Sequence, residues 1–458
     1  MPRFYGNNPN VRGKEAEGFW RARADGIRPY RRLERIRKQT LRNILLLFFC
    51  NSPAVQRGLC RGGYHPPAHP TFTSLPPASS VRIQSTRTPS SPITPAVILF
   101  WGLSSRGRQG YNTHMLQILL TALTALVIVW LMGPLVIPLL ARIKPDRTER
   151  EIAPEPPPLP TKKKQAPPPK PPAPTMGGVL VLFAVMIASL IFGLDGMEFS
   201  LPALVAMVAL GVLGFVDDFL RVRDPDGIGL RAGIMLGVEL VIAGTIAIWA
   251  YRSPLIGSTL HLPISGKEWD IGFWYVPLVI LTVLAEVNAA HLSEGMDGLT
   301  TSVSTVYSMA QIAILVAMAS VANQNSELLQ GNNLAGGAIF AAAAAGAGIG
   351  FLRYNTYPAR VQAGSSGALA FGGAVAMLAI LSRSIILLPL MSFCLLASLG
   401  SVALQAFSKT REGGKKLFRA VPIHRHYEQL GHPPSQIVSM YSILTAVICA
   451  FCLLPFFR

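Results

Sequence analysis

From residue 115 onward the chain alternates between apolar runs of bilayer length and polar loops, with runs at 116–140, 177–194, 201–216, 233–250, 272–290, 303–322, 334–352, 367–381, 385–404 and 437–457. A helix needs roughly 20 apolar residues to cross the hydrocarbon core of a bilayer, and in lipid the backbone must satisfy its own hydrogen bonds. The pattern predicts an all-α polytopic membrane protein with about ten transmembrane helices. The shorter runs call for tilt, snorkelling or local thinning of the bilayer. In the seventh run the stretch 341–348 contains only Ala and Gly, which suits close helix packing.

Residues 1–114 break the pattern. Their apolar runs, 44–50 and 96–101, are too short to span, and the segment is rich in Arg, Pro, Ser and Gly, so it is expected to be largely disordered. The basic run 31–38 reads either as an RNA or anionic-lipid patch or as a solvated tail. A secretory signal fits badly, because the apolar core begins some forty residues in. The preferred reading is that the working protein starts at Met115, giving two regions: 1–114, and a ten-helix domain 115–458 with a proline-rich loop at 145–174.

Composition supports the membrane reading and removes another. Of 458 residues, 50% are hydrophobic and 14% charged, with a mean hydropathy of +0.41, too apolar for a soluble chain of this length. The net charge is +18, but residues 1–114 alone hold 18 basic and 4 acidic side chains. That excess is poor grounds for a nucleic-acid partner, and none is expected. The five cysteines, Cys50, Cys60, Cys394, Cys449 and Cys452, show no metal-binding spacing and read as packing residues.

Lys and Arg in short loops stay cytoplasmic. They gather after span 1 (Arg142 to Lys170), span 3 (Arg221, Arg223, Arg231), span 7 (Arg353, Arg360) and span 9 (Lys409 to Arg425). All four loops are therefore expected on the cytoplasmic side. Both ends of the ten-span unit then face outward, which sits badly with a basic segment at 1–114.

Ionisable residues at span ends are functional candidates, and here they collect on that same side. Span 3 runs into Asp217-Asp218, an adjacent pair that reads either as a solvated helix end or as a partner of a divalent cation or diphosphate. Span 5 runs into Asn288, His291, Glu294 and Asp297. Continued helix would put all four on one broad face, with Gly295 and Gly298 allowing a ligand close to the backbone. Asn355-Thr356-Tyr357-Pro358-Ala359 and Ala363 to Gly367 follow span 7, and by themselves they read as turn and helix-start chemistry. His424, Arg425 and His426 lie in the last basic loop and suit phosphate; a zinc site is not expected there, since no third ligand has the right spacing.

Pro174-Thr175-Met176-Gly177-Gly178, Gly214 to Asp218, Asn288 to Gly298, Asn355 to Ala359 and Pro422 to Glu428, in this order across ten spans, closely resemble the phospho-N-acetylmuramoyl-pentapeptide transferase (translocase I) family of the polyprenyl-phosphate N-acetylhexosamine-1-phosphate transferase superfamily. The resemblance covers 115–458. It implies transfer of phospho-N-acetylmuramoyl-pentapeptide from its UDP carrier to undecaprenyl phosphate, giving lipid I and UMP in peptidoglycan synthesis. It further implies Mg2+ as cofactor, a multi-pass place in the bacterial inner membrane, and a homodimer. By the same resemblance Asp217, Asp218 and Asp297 are catalytic, with the first two at the lipid phosphate, one of them as its general base, and Asp297 at the diphosphate. Asn288, His291, Glu294, Asn355, His424, Arg425 and His426 would bind substrate, and Asp297 with Glu294 would hold the metal.

The chain also departs from the family pattern. Ser365 stands where the family has a metal-binding aspartate, and Gln362 where it has an aromatic residue expected to stack on uracil. His291 replaces asparagine, Glu294 aspartate, Arg221 lysine and Arg425 the middle histidine. A neutral hydroxyl is a poor ligand for a hard cation, and Glu294, one methylene longer than aspartate and so of longer reach, cannot itself occupy a position at the start of the helix that carries Ser365. Two readings follow: an active transferase, with Glu294, Asp297 and His291 compensating, or a catalytically inactive relative that binds polyprenyl phosphate or a partner. A solute carrier is disfavoured, because the charges gather at one face rather than at mid-depth.

Overall fold

The apolar runs fold as helices. In the computed structural model the described residues are 109–143, 173–224, 229–262, 267–410 and 416–457, and they belong to one unit spanning 101–458. The helices are α1 (Gln109–Arg142), α2 (Gly178–Phe192), α3 (Met197–Arg223), α4 (Ala232–Arg252), α5 (Tyr275–Ser293), α6 (Leu299–Gln324), α7 (Leu328–Asn355), α8 (Gly364–Leu381), α9 (Leu388–Met391), α10 (Phe393–Thr410), α11 (Ile423–Gln429) and α12 (Pro434–Leu453). Among the described residues nine helices are long and apolar enough to cross a membrane, and α2, with 15 residues, is a shorter apolar helix. The protein is an all-α polytopic membrane protein. The expectations for residues 1–108 and for most of the loop 145–174 lie outside the described residues; α1 itself begins at Gln109, ahead of Met115.

Helices α7 and α8 form the centre of the bundle and are buried along nearly their whole length, whereas α1, α4 and α12 present large apolar side chains such as Leu131, Val241 and Phe451 outward. That inversion, with apolar residues on the outside, is what a lipid solvent requires. The Ala/Gly stretch of α7 works by close approach: a Cβ on Gly346 would lie 2.1 Å from the carbonyl oxygen of Ala122 in α1. The two helices run in the same direction, since the Tyr354 hydroxyl, two turns further along α7, donates to the carbonyl of Trp130 at 3.0 Å.

Two elements differ from the apolar pattern. The run 385–404 is not one helix: α9 and α10 are separated at Ser392, whose hydroxyl donates to Glu286 on α5. The turn residues Ile385, Ile386 and Leu387 are all apolar, and hydropathy cannot register a turn built of apolar residues. Between α4 and α5 a hairpin of β1 (Thr259–Leu262) and β2 (Lys267–Asp270) pairs antiparallel with Thr259 opposite Asp270. Arg383, just beyond α8, binds Glu268 on β2 at 3.0 Å, so the hairpin caps the bundle at the end where α8 finishes. The three buried cysteines Cys394, Cys449 and Cys452 are free.

Candidate active site

At the opposite end, where α8 starts, segments far apart in the chain converge. Gly214 makes this possible: a Cβ there would lie 2.2 Å from the carbonyl oxygen of Ser365, so only glycine lets the backbones of α3 and α8 touch. One helical turn later α3 delivers Asp217 and Asp218, each 1% exposed.

The first turn of α8 leaves backbone N–H groups without helical acceptors, and carboxylates from two other helices meet them. Asp218 accepts from the N–H of Ser365 through Oδ1 and from that of Ser366 through Oδ2, both at 2.9 Å. The Thr175 hydroxyl adds a longer contact to Asp218 at 3.5 Å. Glu294 accepts from the N–H of Gly364 at 3.1 Å. Glu294 itself lies in the turn after α5, and its longer side chain reaches across to the start of α8. A helix N-terminus attracts anions, and here that attraction is met from within the protein.

Asp217 faces Ser365. Its Oδ2 accepts from the Ser365 hydroxyl at 2.6 Å and from the Arg221 guanidinium at 3.0 Å, and its Oδ1 from the N–H of Leu230 at 2.8 Å. Both aspartates are thus fully engaged with protein donors.

The row Asn288, His291, Glu294 and Asp297 does not share one helical face. α5 ends at Ser293 with Glu294 as its cap, and the chain turns through Gly298, whose φ of +77° belongs to the left-handed region that favours glycine. Asp297 is reoriented by that turn and accepts from the N–H of Ala359 at 3.1 Å. Glu294 is half-buried as a residue, but its carboxyl group is enclosed. That burial, reinforced by the negative charges of Asp218 and Asp297, pushes its pKa well above the usual carboxylate range. Asn355 is 1% exposed; its amide oxygen accepts from Thr301 at 2.9 Å and its amide nitrogen donates to the Val361 carbonyl at 3.0 Å. It pins the loop 356–363 from behind and presents no surface to a ligand.

The last loop closes over the turn after α5. A Cβ on Gly295 would lie 2.8 Å from the guanidinium of Arg425, so this glycine admits a cation beside Glu294 and Asp297. His424 is fully buried, and neither ring nitrogen has a hydrogen-bond partner. Burial, aided by Arg425, lowers its pKa to about 3, so the ring is neutral. His426 is half-buried and accepts from the N–H of Arg419 at 3.2 Å.

Among the described residues no three His, Cys, Asp or Glu side chains converge as a metal cage. Mg2+ does not require one, because it is commonly held by one or two carboxylates together with substrate phosphates and water. Asp297 and Glu294, two hard oxygen donors beside Arg425, fit that mode. Three contributors were not singled out from sequence. Thr175 and Ser366 lie in motifs quoted above yet reveal their partners only in the fold. Glu239 bonds Asn288 at 2.7 Å, and a lone acid within an apolar span was a signal available in the sequence.

A family model described as Glycosyl transferase family 4 matches residues 200–383. The chain is 33% identical over 330 residues to a phospho-N-acetylmuramoyl-pentapeptide-transferase of Clostridium novyi (strain NT), covering 72% of this chain and 94% of that relative. It is 32% identical over 333 residues to the protein of that name from Clostridioides difficile (strain 630), covering 72% and 94%. With the one from Clostridium kluyveri (strain ATCC 8527 / DSM 555 / NBRC 12016 / NCIMB 10680 / K1) it shares 32% over 335 residues, covering 73% and 98%.

Proposed function

The chain belongs to the phospho-N-acetylmuramoyl-pentapeptide-transferase family, and from that premise we propose that it moves phospho-N-acetylmuramoyl-pentapeptide from UDP to undecaprenyl phosphate, forming lipid I and releasing UMP. In this reaction an oxygen of the lipid phosphate attacks the phosphorus bearing the sugar, the bond to UMP breaks, and a new diphosphate forms. The observation that carries the proposal is the convergence of Asp217 and Asp218, Glu294 and Asp297, the start of α8 and Arg425 at one end of the bundle. An aqueous nucleotide and a membrane-embedded phosphate can meet there.

In this reading Asp297 and Glu294 would hold Mg2+ at the turn after α5. The cation, when bound, neutralises the diphosphate and the charge that develops on the leaving UMP. Arg425 supplies positive charge beside the same turn. His291 and His426 line the nucleotide-sugar side, and neutral His424 gives the loop that carries His426 its buried anchor. Asp217 and Asp218 stand on the lipid-phosphate side with Arg221, whose guanidinium is bonded to Asp217. With every oxygen of the pair accepting from the protein, their first task is to hold α8 and Ser365 in place. The site end of the bundle is cytoplasmic in this reading, because it collects the basic loops, and the protein acts in the bacterial inner membrane.

The test is magnesium-dependent UMP release from UDP-N-acetylmuramoyl-pentapeptide in the presence of undecaprenyl phosphate. A second reading, an inactive relative that binds the lipid phosphate, is favoured by one observation: Ser365 bonds Asp217 directly where the family has a second carboxylate. Absence of UMP release, with undecaprenyl phosphate still bound, would decide for it.

A further inference from the structure

Helix α4 packs lightly against the bundle, and its buried residues form a single stripe: Glu239, Ala243, Ile246, Ala247 and Ala250. Glu239 heads that stripe and is 1% exposed. It is the one acidic residue of the helix. An apolar side chain of similar length would fill the position without desolvating a carboxyl group, so packing does not explain a glutamate there.

Its bond does. The amide nitrogen of Asn288 on α5 donates to Glu239 Oε2 at 2.7 Å and to the backbone carbonyl of Leu284 at 2.9 Å. Both neighbours contact the same nitrogen, and the Leu284 carbonyl can only accept. The orientation of the amide is therefore fixed, with its two N–H groups spent and its oxygen left as an acceptor. Asn288 lies one turn before His291 and two before Glu294, on the helix that carries both to the site. Meanwhile Glu239 Oε1 is buried without a partner, so the carboxyl group is not held by a wider network. Among the described residues its one hydrogen-bond partner is Asn288.

We propose that Glu239 is a positioning residue for the nucleotide-sugar site: it locks the Asn288 amide so that Oδ1 is presented as a fixed hydrogen-bond acceptor to the UDP-sugar. The proposal rests on the transferase reading for the identity of the ligand. The residue acts through Asn288 and touches no substrate itself.

The experiment measures binding of UDP-N-acetylmuramoyl-pentapeptide to the detergent-purified full chain, alongside UMP release and melting temperature. Glu239→Gln keeps an acceptor for Asn288 and should bind within about threefold of the unmodified chain. Glu239→Leu and Asn288→Asp should each weaken binding by about tenfold or more while still melting cooperatively. The double variant Glu239→Gln with Asn288→Asp restores a donor–acceptor pair in reverse and should recover at least about fivefold over Asn288→Asp alone. A packing role for Glu239 would not produce that rescue. Unchanged binding in Glu239→Leu, or a double variant no better than Asn288→Asp, overturns the proposal. If the unmodified chain binds the UDP-sugar but releases no UMP, the transferase reading fails while the binding series still decides this one.

Discussion

The hydroxyl of Ser365 donates to Asp217 Oδ2 at 2.6 Å, joining the start of α8 to the end of α3 with both residues buried. A carboxylate in place of that hydroxyl would turn a donor into a second acceptor facing the first.

Ser365→Asp is therefore expected to destabilise the protein without a cation by about 2–4 kcal/mol, from the lost charge-assisted bond and the new like-charge contact. Added magnesium should raise the melting temperature of this variant more than that of the unmodified chain. Combined with Gln362→Phe, which gives uracil a stacking surface, magnesium-dependent UMP release should rise more than about tenfold. Equal magnesium responses in the two proteins would show that position 365 does not face a cation.

Loss of any one of Asp217, Asp218 and Asp297 is expected to reduce UMP release by at least about a hundredfold, or roughly 3 kcal/mol of transition-state stabilisation. The three differ in stability. Asp218→Ala strands the buried N–H groups of Ser365 and Ser366 and should cost about 2–4 kcal/mol, so melting must be followed beside the rate. Full activity in Asp297→Ala would remove that carboxylate from the mechanism.

Gly214→Ala forces α3 away from α8, because the added carbon would meet backbone at 2.2 Å. A loss of about 3 kcal/mol or more is expected, at or above the upper end for overpacked cores. Gly244→Ala on α4, which meets nothing within 4 Å, should be neutral or slightly stabilising by comparison. Melting of the two variants side by side reads the difference.

His424 gives a pH signature. Its folded pKa of about 3 lies below the ordinary histidine value near 6.5, so the unfolded chain takes up a proton that the folded one refuses. The fold is at full strength above about pH 6.5 and weakens as pH falls toward 3. At pH 5 the penalty is about 2 kcal/mol. Replacing His424 with Leu should flatten the dependence of melting temperature on pH between 7 and 5; an unchanged slope would mean that another group dominates it.

Topology is open to labelling. In a background with Cys50 and Cys60 changed to Ser, a cysteine at Glu268 on the hairpin should react with an impermeant reagent applied to intact cells. One at Lys416, in the last basic loop, should not. The reverse pattern would invert the proposed orientation.

The amino-acid sequence by itself determined the membrane class, the approximate placing of the apolar helices and the residue types at one end of them. Apolar run length and charge asymmetry are local properties, and a bilayer enforces them span by span. The motif strings 214–218, 288–298 and 355–359 likewise point to the family before any contact is known. Only the tertiary structure decided which partners these residues take. Apolar continuity concealed the break at Ser392, because the residues flanking it are apolar, and helical periodicity misplaced Asp297, because Gly298 turns the chain after α5. Asn355, a binding residue by resemblance, lies buried, its amide bonded to Thr301 and Val361. Glu294 reaches α8 because helices adjacent in space need not be adjacent in sequence. A hydrogen bond between residues 70 or 148 positions apart, as Glu294 makes to Gly364 and Ser365 to Asp217, depends on packing that no local pattern encodes.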